Sequence, residues 1–398
     1  MRPLGKRVSS SVPIHASTRR LPARAPARQP RGRPAGYAEA SRGFSRLSRL
    51  TCRTRIAARS AGFILAGLGW LLYASPRPAA GADVSEGFRV EVVVTGIPRP
   101  IQLAHDRDGM LVVLGQGWRG DAAAELYRID LRGSLPVDAA QAPRIVIPFA
   151  SEPRKSVFGS LALDSRTGDL YLGEENGNRI YRLGTDQHLR VVAVGLNHLL
   201  GGSAIALDQQ GRLVFLDYAS PEMHLRSETP LPPSLSWLTE EGYRGPEVFR
   251  VDVDEGQPLP RRADLLPPIF PRRETPRAGQ EPMWRFIGVT ASGDDLVLLS
   301  AVGEVFRLGP DAELRLVARL PAGHYHRTNM AMGLDGSIFV CGGFQIRRIF
   351  RISPSGEVST VASELGDPGG IVLDREGALY VAETALHRIL RISPAGRR

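Results

Sequence analysis

Short hydrophobic runs separated by tight turns recur along residues 88–398 in one fixed order. An apolar run enters a turn that contains Asp and Gly, a second run leaves it, and a third run follows an Arg. The last copy, residues 369–396, reads GGIVLDREGALYVAETALHRILRISPAG. Runs of about five residues rich in Val, Ile, Leu, Tyr and Phe are typical of β-strands. No long stretch has a helical period, so the pattern predicts an all-β protein.

The spacing of the copies indicates which β fold they build. Six copies carry a turn glycine, and the shorter separations between these glycines are 41 and 43 residues, matching the period of a β-propeller blade. The turn glycines are Gly109, Gly168, Gly211, Gly293, Gly336 and Gly377. The wider separations indicate insertions at about 219–246 and 266–283, in which a seventh, degenerate blade is the alternative. We expect a six-bladed β-propeller with four-stranded blades over residues 83–398.

Ring closure is predicted from the two ends of the repeat region. The last copy stops after its third strand, while the strand-like segment FRVEVVVT at 88–95 has no blade of its own. Pairing of this N-terminal strand with the last blade would complete that blade and remove an exposed sheet edge. We therefore expect residues 88–95 to be the outer strand of the final blade.

The net charge of +10 comes from the N-terminal leader. Residues 1–82 contain 15 Arg and one Lys against one acid, which leaves the remainder with a net charge of −5. The high pI therefore does not indicate nucleic-acid binding by the propeller. Residues 1–60 are a basic, low-complexity segment. Their composition suits an organellar transit peptide or a translation start placed upstream of the true one.

The segment that follows has the three parts of a secretory signal. Arginines precede the apolar run at 61–74, and Ala80-Gly81-Ala82 supplies small residues for cleavage. The run is shorter than the ~20 residues of a membrane span, so we expect no stable span after cleavage; an uncleaved anchor is the alternative. Residues 61–82 thus predict a periplasmic or secreted monomer. Cys52 precedes the run, so Cys341 alone remains after cleavage and no internal disulfide can form.

The expected blade topology places the long connections on one face, here called the long-loop face. The Asp-x-x-Gly turns are short and lie on the opposite, short-turn face. Long loops on a rigid scaffold usually carry the function, so we expect a small molecule or a partner protein to bind there. The binding candidates are Trp118, Arg119, His324, Tyr325, His326 and Asn329, and the catalytic candidates are His198 and Asp217.

Two kinds of chemistry are suggested by these candidates. Alternating histidines such as His324 and His326 can both ligate a metal in extended backbone, which makes a divalent metal ion the candidate cofactor, although no metal ligand is assigned. Glu174 and Glu383 each have an Arg five residues on, so we expect each to form an ion pair within its blade or to cap the turn between the second and third strands. Asp217 occupies the same place in its copy without such an Arg, and is the stronger candidate for function.

The repeat resembles NHL repeats and the six-bladed propellers of the regucalcin/gluconolactonase and strictosidine-synthase-like superfamily. The resemblance covers residues 88–398 and rests on G-G-I-V-L-D-x-x-G-x-L-Y-V-A-E-T and its weaker copies. Lactonases of that superfamily hold a divalent ion on acids and asparagines at the starts of the inner strands. The matching positions are Ile101, Gly159, Ser203, Ile287, Asn329 or Met330, and Gly369. Only Asn329 fits the lactonase pattern.

A second resemblance is to soluble quinoprotein (PQQ) sugar dehydrogenases, which are also six-bladed and secreted. Their catalytic base lies in a His-x-Gly-Gly segment, and the nearest match here is His198-Leu-Leu-Gly201-Gly202, one residue longer. The resemblance implies that His198 would take the proton of a sugar hydroxyl.

The sequence contains no G-x-S-x-G elbow, Walker loop, C-x-x-C pair or H-E-x-x-H motif. The prediction is therefore an exported NHL-type propeller that binds a small molecule or partner protein on its long-loop face. The alternative is an enzyme, either a lactonase- or esterase-like hydrolase or a quinoprotein dehydrogenase.

Overall fold

The computed structural model describes most of residues 82–395, all of which belong to one compact unit at 77–398. The described residues are 82–115, 123–147, 157–175, 177–194, 196, 199, 201–218, 246–253, 261–262, 269 and 286–395. Both predicted insertions therefore fall largely outside them, as does the whole leader. Within the described part, no helix is both long and apolar enough to cross a membrane.

Strands dominate the described residues, and the only α-helix among them is the single turn α1 (Gly343–Ile346). The strands, in chain order, are β1 (Asp83–Val84), β2 (Phe88–Thr95), β3 (Gln102–His105), β4 (Leu111–Gly115), β5 (Ala124–Ile129), β6 (Val137–Asp138), β7 (Arg144–Ile147), β8 (Phe158–Leu163), β9 (Leu170–Glu174), β10 (Arg179–Leu183), β11 (Leu189–Val194), β12 (Ile205–Leu207), β13 (Leu213–Tyr218), β14 (Pro246–Val251), β15 (Arg261–Arg262), β16 (Phe286–Ser292), β17 (Asp295–Ser300), β18 (Glu304–Leu308), β19 (Leu314–Arg319), β20 (Asn329–Met332), β21 (Ile338–Cys341), β22 (Ile349–Ile352), β23 (Val358–Ser363), β24 (Pro368–Leu373), β25 (Leu379–Glu383) and β26 (Arg388–Pro394).

These strands form six sheets, and the inner strands of the sheets surround a central channel. Blades 1 to 6 are built on β3-β4-β5-β7, β8-β9-β10-β11, β12-β13-β14, β16-β17-β18-β19, β20-β21-β22-β23 and β24-β25-β26-β2. Each inner strand contacts the next one along the chain, and β24 contacts β3 to complete the ring. The six-bladed β-propeller predicted from the repeat is confirmed. In blade 3 the described residues supply three strands.

The predicted ring closure is also confirmed. Strand β2 pairs antiparallel with β26, with Phe88 opposite Pro394 and Thr95 opposite Arg388. Val93 and Val94 of β2 are fully buried between blades 6 and 1, beside Tyr380 and Ile389. The N-terminal strand thus contributes both the missing ladder and part of the hydrophobic core that lies between blades.

The Asp, Gly and Arg of the repeat stabilise the short turns. In blade 1, Asp106 Oδ1 accepts hydrogen bonds from the backbone N–H groups of Asp108 and Met110, both at 2.9 Å. Gly109 closes the turn at φ +77°, a conformation that L side chains rarely adopt. An Arg in the middle of each third strand of blades 1 to 5 contacts an acid at this turn. These pairs are Arg128–Asp106, Arg182–Asp169, Arg250–Asp208, Arg307–Asp295 and Arg351–Asp335.

Candidate functional site at the long-loop mouth of the channel

The structure places five of the eight candidate residues and leaves three outside the described part. Trp118, Arg119 and His198 are not among the described residues. Asp217, His324, Tyr325, His326 and Asn329 are described, and they lie in two groups that belong to different blades. Asp217 ends the second strand of blade 3, whereas residues 324–329 lead into the inner strand of blade 5.

The two acids predicted to be scaffold residues do make contacts within their blades. Arg388 donates to Glu383, which is fully buried and also accepts the backbone N–H of Gly366 at 2.7 Å. This ion pair confirms the prediction for blade 6. Glu174 lies opposite Arg179 on the neighbouring strand and accepts a hydrogen bond from the Tyr181 hydroxyl at 2.9 Å.

Polar contacts link several blades across the long-loop end of the channel. The side-chain amide of Asn329 in blade 5 donates to Gln102 in blade 1, whose own amide donates to the Gly159 carbonyl of blade 2 at 3.2 Å. The backbone N–H of Ser203 in blade 3 donates to the carbonyl of Thr328 at 3.0 Å. Asn329, a predicted binding residue, is thus part of the polar network that holds this end of the channel together.

An ion pair spans the same mouth between opposite blades. Glu175 follows the second strand of blade 2, and Arg327 precedes the inner strand of blade 5. Arg327 Nη2 donates to Glu175 Oε2 at 2.9 Å, and the Glu175 side chain is 15% exposed. Because blades 2 and 5 face each other in a six-bladed ring, this contact crosses the channel mouth rather than following one blade.

The second carboxylate oxygen of Glu175 is the unusual feature. Oε1 has no solvent-accessible surface and no hydrogen-bond partner among the described residues. It lies against two glycines: a Cβ added to Gly159 or Gly201 would come within 2.2 or 2.0 Å of it. Burial raises the pKa of Glu175 to about 7, although the charge of Arg327 acts in the opposite direction. At neutral pH the carboxyl group therefore populates both its protonated and its ionised forms.

Sequence reasoning missed Glu175, although the chain carries a signal for it. The second strand of blade 2 ends at Glu174 and is followed by Glu175, whereas the equivalent strand of blade 6 ends at Glu383 and is followed by Thr384. The first acid of the doublet belongs to the repeat, and the second departs from it. Glu175, which departs from the repeat and lies next to the channel, was therefore a better candidate functional residue than Glu174.

Beside Arg327, aromatic side chains form a partly exposed patch. The rings of His324 and His326 stack with their centroids 6.1 Å apart, and His326 meets Phe344 edge-on at 5.7 Å. Phe344 is 40% exposed. Tyr325 stands between the two histidines in the sequence, but its side chain is fully buried. Its hydroxyl donates to the Pro321 carbonyl at 2.8 Å. The structure therefore places Tyr325 in the core rather than on the binding surface.

Asp217 has an acidic neighbour that sequence reasoning also missed. Glu247, at the start of the third strand of blade 3, is its partner in the antiparallel register. Each of the two residues is 1% exposed. Burial, and then the charge of Asp217, raise the pKa of Glu247 well above its ordinary value. Alignment of the third strands would have shown Glu247 where blades 2, 5 and 6 have Arg.

The histidines do not form part of a larger ligand set in the described part of the chain. No group of three or more His, Cys, Asp or Glu side chains there could together hold a metal ion. Cys341 is fully buried, and burial raises the pKa of its thiol to about 12.

A cleft of about 1080 Å³ lies on the opposite, short-turn face, which the sequence did not predict. Turn residues of blades 1, 5 and 6 line it, including Asp374 and Leu334. At its wall the ring of His105 packs edge-on against Tyr380 at 5.0 Å, and burial lowers the pKa of His105.

Comparisons with known proteins identify similar folds only. No protein-family model and no curated protein matches the chain. Virginiamycin B lyase from Staphylococcus aureus is 15% identical, with a TM-score of 0.48 over 77% of this chain and 99% of that one. A gluconolactonase from Xanthomonas campestris is 15% identical, with a TM-score of 0.49 over 80% and 99%. A carbohydrate-active enzyme from Trichoderma reesei is 12% identical, with a TM-score of 0.49 over 81% and 100%. No functional argument follows from similarities at this level.

Proposed function

We propose that this propeller binds a small polyhydroxylated molecule at the long-loop mouth of its channel. The observation that carries the proposal is Glu175, a carboxyl group built into the mouth with one oxygen held by Arg327 and the other without a partner among the described residues. Leaving a buried acceptor unpaired costs about 1–3 kcal/mol. A hydroxyl group of a ligand would remove that cost.

The surroundings of Glu175 suit such a ligand. Gly159 and Gly201 present no side chains, which leaves the space beside Glu175 Oε1 free of any Cβ atom. The exposed ring of Phe344, with His326 against it, offers an apolar surface next to Arg327. Apolar faces beside a few directional polar groups are typical of small-molecule sites.

A second candidate function, proton transfer in an enzyme, is favoured by one observation. A group with a pKa of about 7 can act as general acid or general base at neutral pH, and such groups concentrate at active sites. Glu175 would then be the catalytic residue, with Arg327 fixing its orientation. The quinoprotein alternative depends on His198, which lies outside the described residues.

One experiment tests both functions. D-Gluconate binding is measured by isothermal titration calorimetry, and D-glucono-1,5-lactone hydrolysis by pH-stat, for the wild type, Glu175→Ala and Arg327→Ala. We expect binding to weaken at least about tenfold in both variants, since each removes a charged hydrogen bond worth roughly 1.5–3 kcal/mol. Glu304→Ala is the control, because Glu304 is an acid paired with Arg319 at 3.2 Å in blade 4.

The outcomes separate the two functions from each other and from failure. Binding without turnover supports a binding protein. Turnover with a pH inflection near 7 that disappears in Glu175→Gln supports an enzyme. No binding of gluconate and no hydrolysis, or equal behaviour of Glu175→Ala and Glu304→Ala, contradicts the proposal that Glu175 marks a site for this class of molecule.

A further inference from the structure

The six blades can be compared at one pair of positions, the end of the second strand and the start of the third. The register places Gly115 opposite Glu125 in blade 1, Glu174 opposite Arg179 in blade 2, Asp217 opposite Glu247 in blade 3 and Glu383 opposite Arg388 in blade 6. The corresponding residues are Ser300 and Glu304 in blade 4 and Gly342 and Arg348 in blade 5, each next to the last strand pair, Leu299–Val305 or Cys341–Ile349. Blade 3 alone places an acid opposite an acid. The other blades therefore show which residues accompany a carboxylate at these positions, and blade 3 can be compared with them.

In the other blades that carry an acid on the third strand, an Arg of the fourth strand approaches it. Glu125 lies 3.8 Å from Arg144 in blade 1, and Glu304 lies 3.2 Å from Arg319 in blade 4. Glu247 differs from both. Neither of its carboxyl oxygens has solvent-accessible surface or a hydrogen-bond partner in the part of the chain that the structure describes.

An uncompensated buried carboxylate is expensive, by several kcal/mol after relaxation, and a second carboxyl group opposite it raises the cost. Val248 and Leu216, the chain neighbours of the pair, are buried and apolar. A cation at this pair would offset the charge of Glu247 and give both of its carboxyl oxygens a partner. We propose that Asp217 and Glu247 are ligands of a hard divalent cation, Mg²⁺ or Ca²⁺.

The chemistry of the donors selects this class of ion. Carboxylate oxygens suit Mg²⁺ and Ca²⁺, whereas zinc and copper favour imidazole and thiolate. His324 and His326 lie in blade 5 and Cys341 is buried in the same blade, so these residues supply neither nitrogen nor sulfur ligands to the pair. Mg²⁺ is commonly held by one or two carboxylates, its other ligands being water. The site lies between the second and third strands of blade 3.

This inference is independent of the channel-mouth site and is tested on chelator-treated full-length protein. MgCl₂ and CaCl₂ are titrated separately by calorimetry and by thermal unfolding, and bound metal is counted by mass spectrometry. We expect one ion per chain and a rise in the unfolding temperature on metal addition. Glu247→Gln and Asp217→Asn, which keep side-chain size, should lose at least about tenfold in affinity, the scale at which even outer-shell changes act.

Glu304→Gln is the matched control, since it changes the same third-strand position in blade 4, and it should bind metal as the wild type does. Should Glu247→Gln fail to fold, Glu247→Asp replaces it. This variant keeps the carboxylate on a shorter side chain, so we expect it to bind the metal more weakly than the wild type does. The proposal is overturned when the wild type binds neither ion, or when Glu247→Gln and Glu304→Gln bind equally. A stabilisation by ammonium or guanidinium salts alone would also overturn it, since the occupant would then be an organic cation.

Discussion

Blades 3 and 6 place an acid at the same point of the fold and surround it differently. Glu383 of blade 6 is fully buried, bonded to Arg388 and to a backbone N–H. Asp217 of blade 3 faces Glu247, whose oxygens have no partner among the described residues. The backbone register pairs the two positions in both blades, and the residue at the start of the third strand is Glu in blade 3 and Arg in blade 6.

The comparison distinguishes two kinds of carboxylate. A matched acid has an Arg opposite it on the next strand of its own blade, as Glu383 has Arg388, and an unmatched acid does not. A matched acid such as Glu383 stabilises its own blade. An unmatched one reduces stability unless something outside the blade compensates it, and proteins retain such groups mainly at functional sites. Glu175 belongs to the second kind, because its contact comes from Arg327 across the channel and one of its oxygens has no described partner.

The largest effect is expected where a matched acid is removed. Glu383→Ala leaves the guanidinium of Arg388, 19% exposed, without its carboxylate. Breaking a buried ion pair from one side typically costs 3–5 kcal/mol, so we expect a loss of about that size in the free energy of unfolding, measured by urea denaturation. A loss below about 1 kcal/mol would mean that Glu383 is not a structural acid, and the comparison with blade 3 would fail.

The fold was predictable from the sequence because the same pattern of strands and turns occurs six times along the chain. Turn glycines, strand composition and the unpaired segment at 88–95 together predicted the blade number and the closure by β2, and the structure confirms both. The paired acid of blade 6 was predictable for the same reason, since Glu383 and Arg388 are close in sequence. The leader and export remain predictions, because residues 1–81 lie outside the described part.

The candidate site was less predictable because its contacts join distant parts of the chain. Glu175 and Arg327 are 152 residues apart and meet only when blades 2 and 5 face each other. Asp217 was selected for lacking an Arg, but Glu247 lies beyond a long insertion and its pairing depends on strand register. Tyr325 was selected because it stands between His324 and His326, but the sequence of a loop does not reveal that its side chain is fully buried.

A smaller effect, visible through pH, is expected at Glu175. Its folded pKa of about 7 exceeds the ordinary 4.5, so the folded state binds more protons between these values and stability falls as pH rises from about 4.5 to about 7. At roughly 1.4 kcal/mol per pKa unit, the upper limit is about 3.5 kcal/mol. Glu175→Gln cannot ionise, so its stability relative to the wild type should increase over that window and level off above it.

Thermal unfolding of both proteins at pH 4.5, 6 and 8 measures this difference. Glu304→Gln serves as control, since it removes an acid from the same face and tests whether any lost carboxylate gives the same trend. A constant difference between wild type and Glu175→Gln across the three pH values would place Glu175 among the matched acids.

The smallest effect is expected on the short-turn face. Arg128 contacts Asp106 at 2.6 Å and Asp108 at 2.5 Å, but its side chain is 49% exposed. Exposed ion pairs contribute about 0–1 kcal/mol and are screened by salt, so Arg128→Ala should cost no more than about 1 kcal/mol in urea denaturation, and less at high ionic strength. These contacts are as short as those of buried pairs. The expected difference in stability cost between Arg128→Ala and Glu383→Ala therefore comes from burial and not from distance. If Arg128→Ala proved as costly as Glu383→Ala, exposed and buried ion pairs would contribute equally to stability. The burial of Glu247 could then no longer be used to interpret its lack of a partner among the described residues.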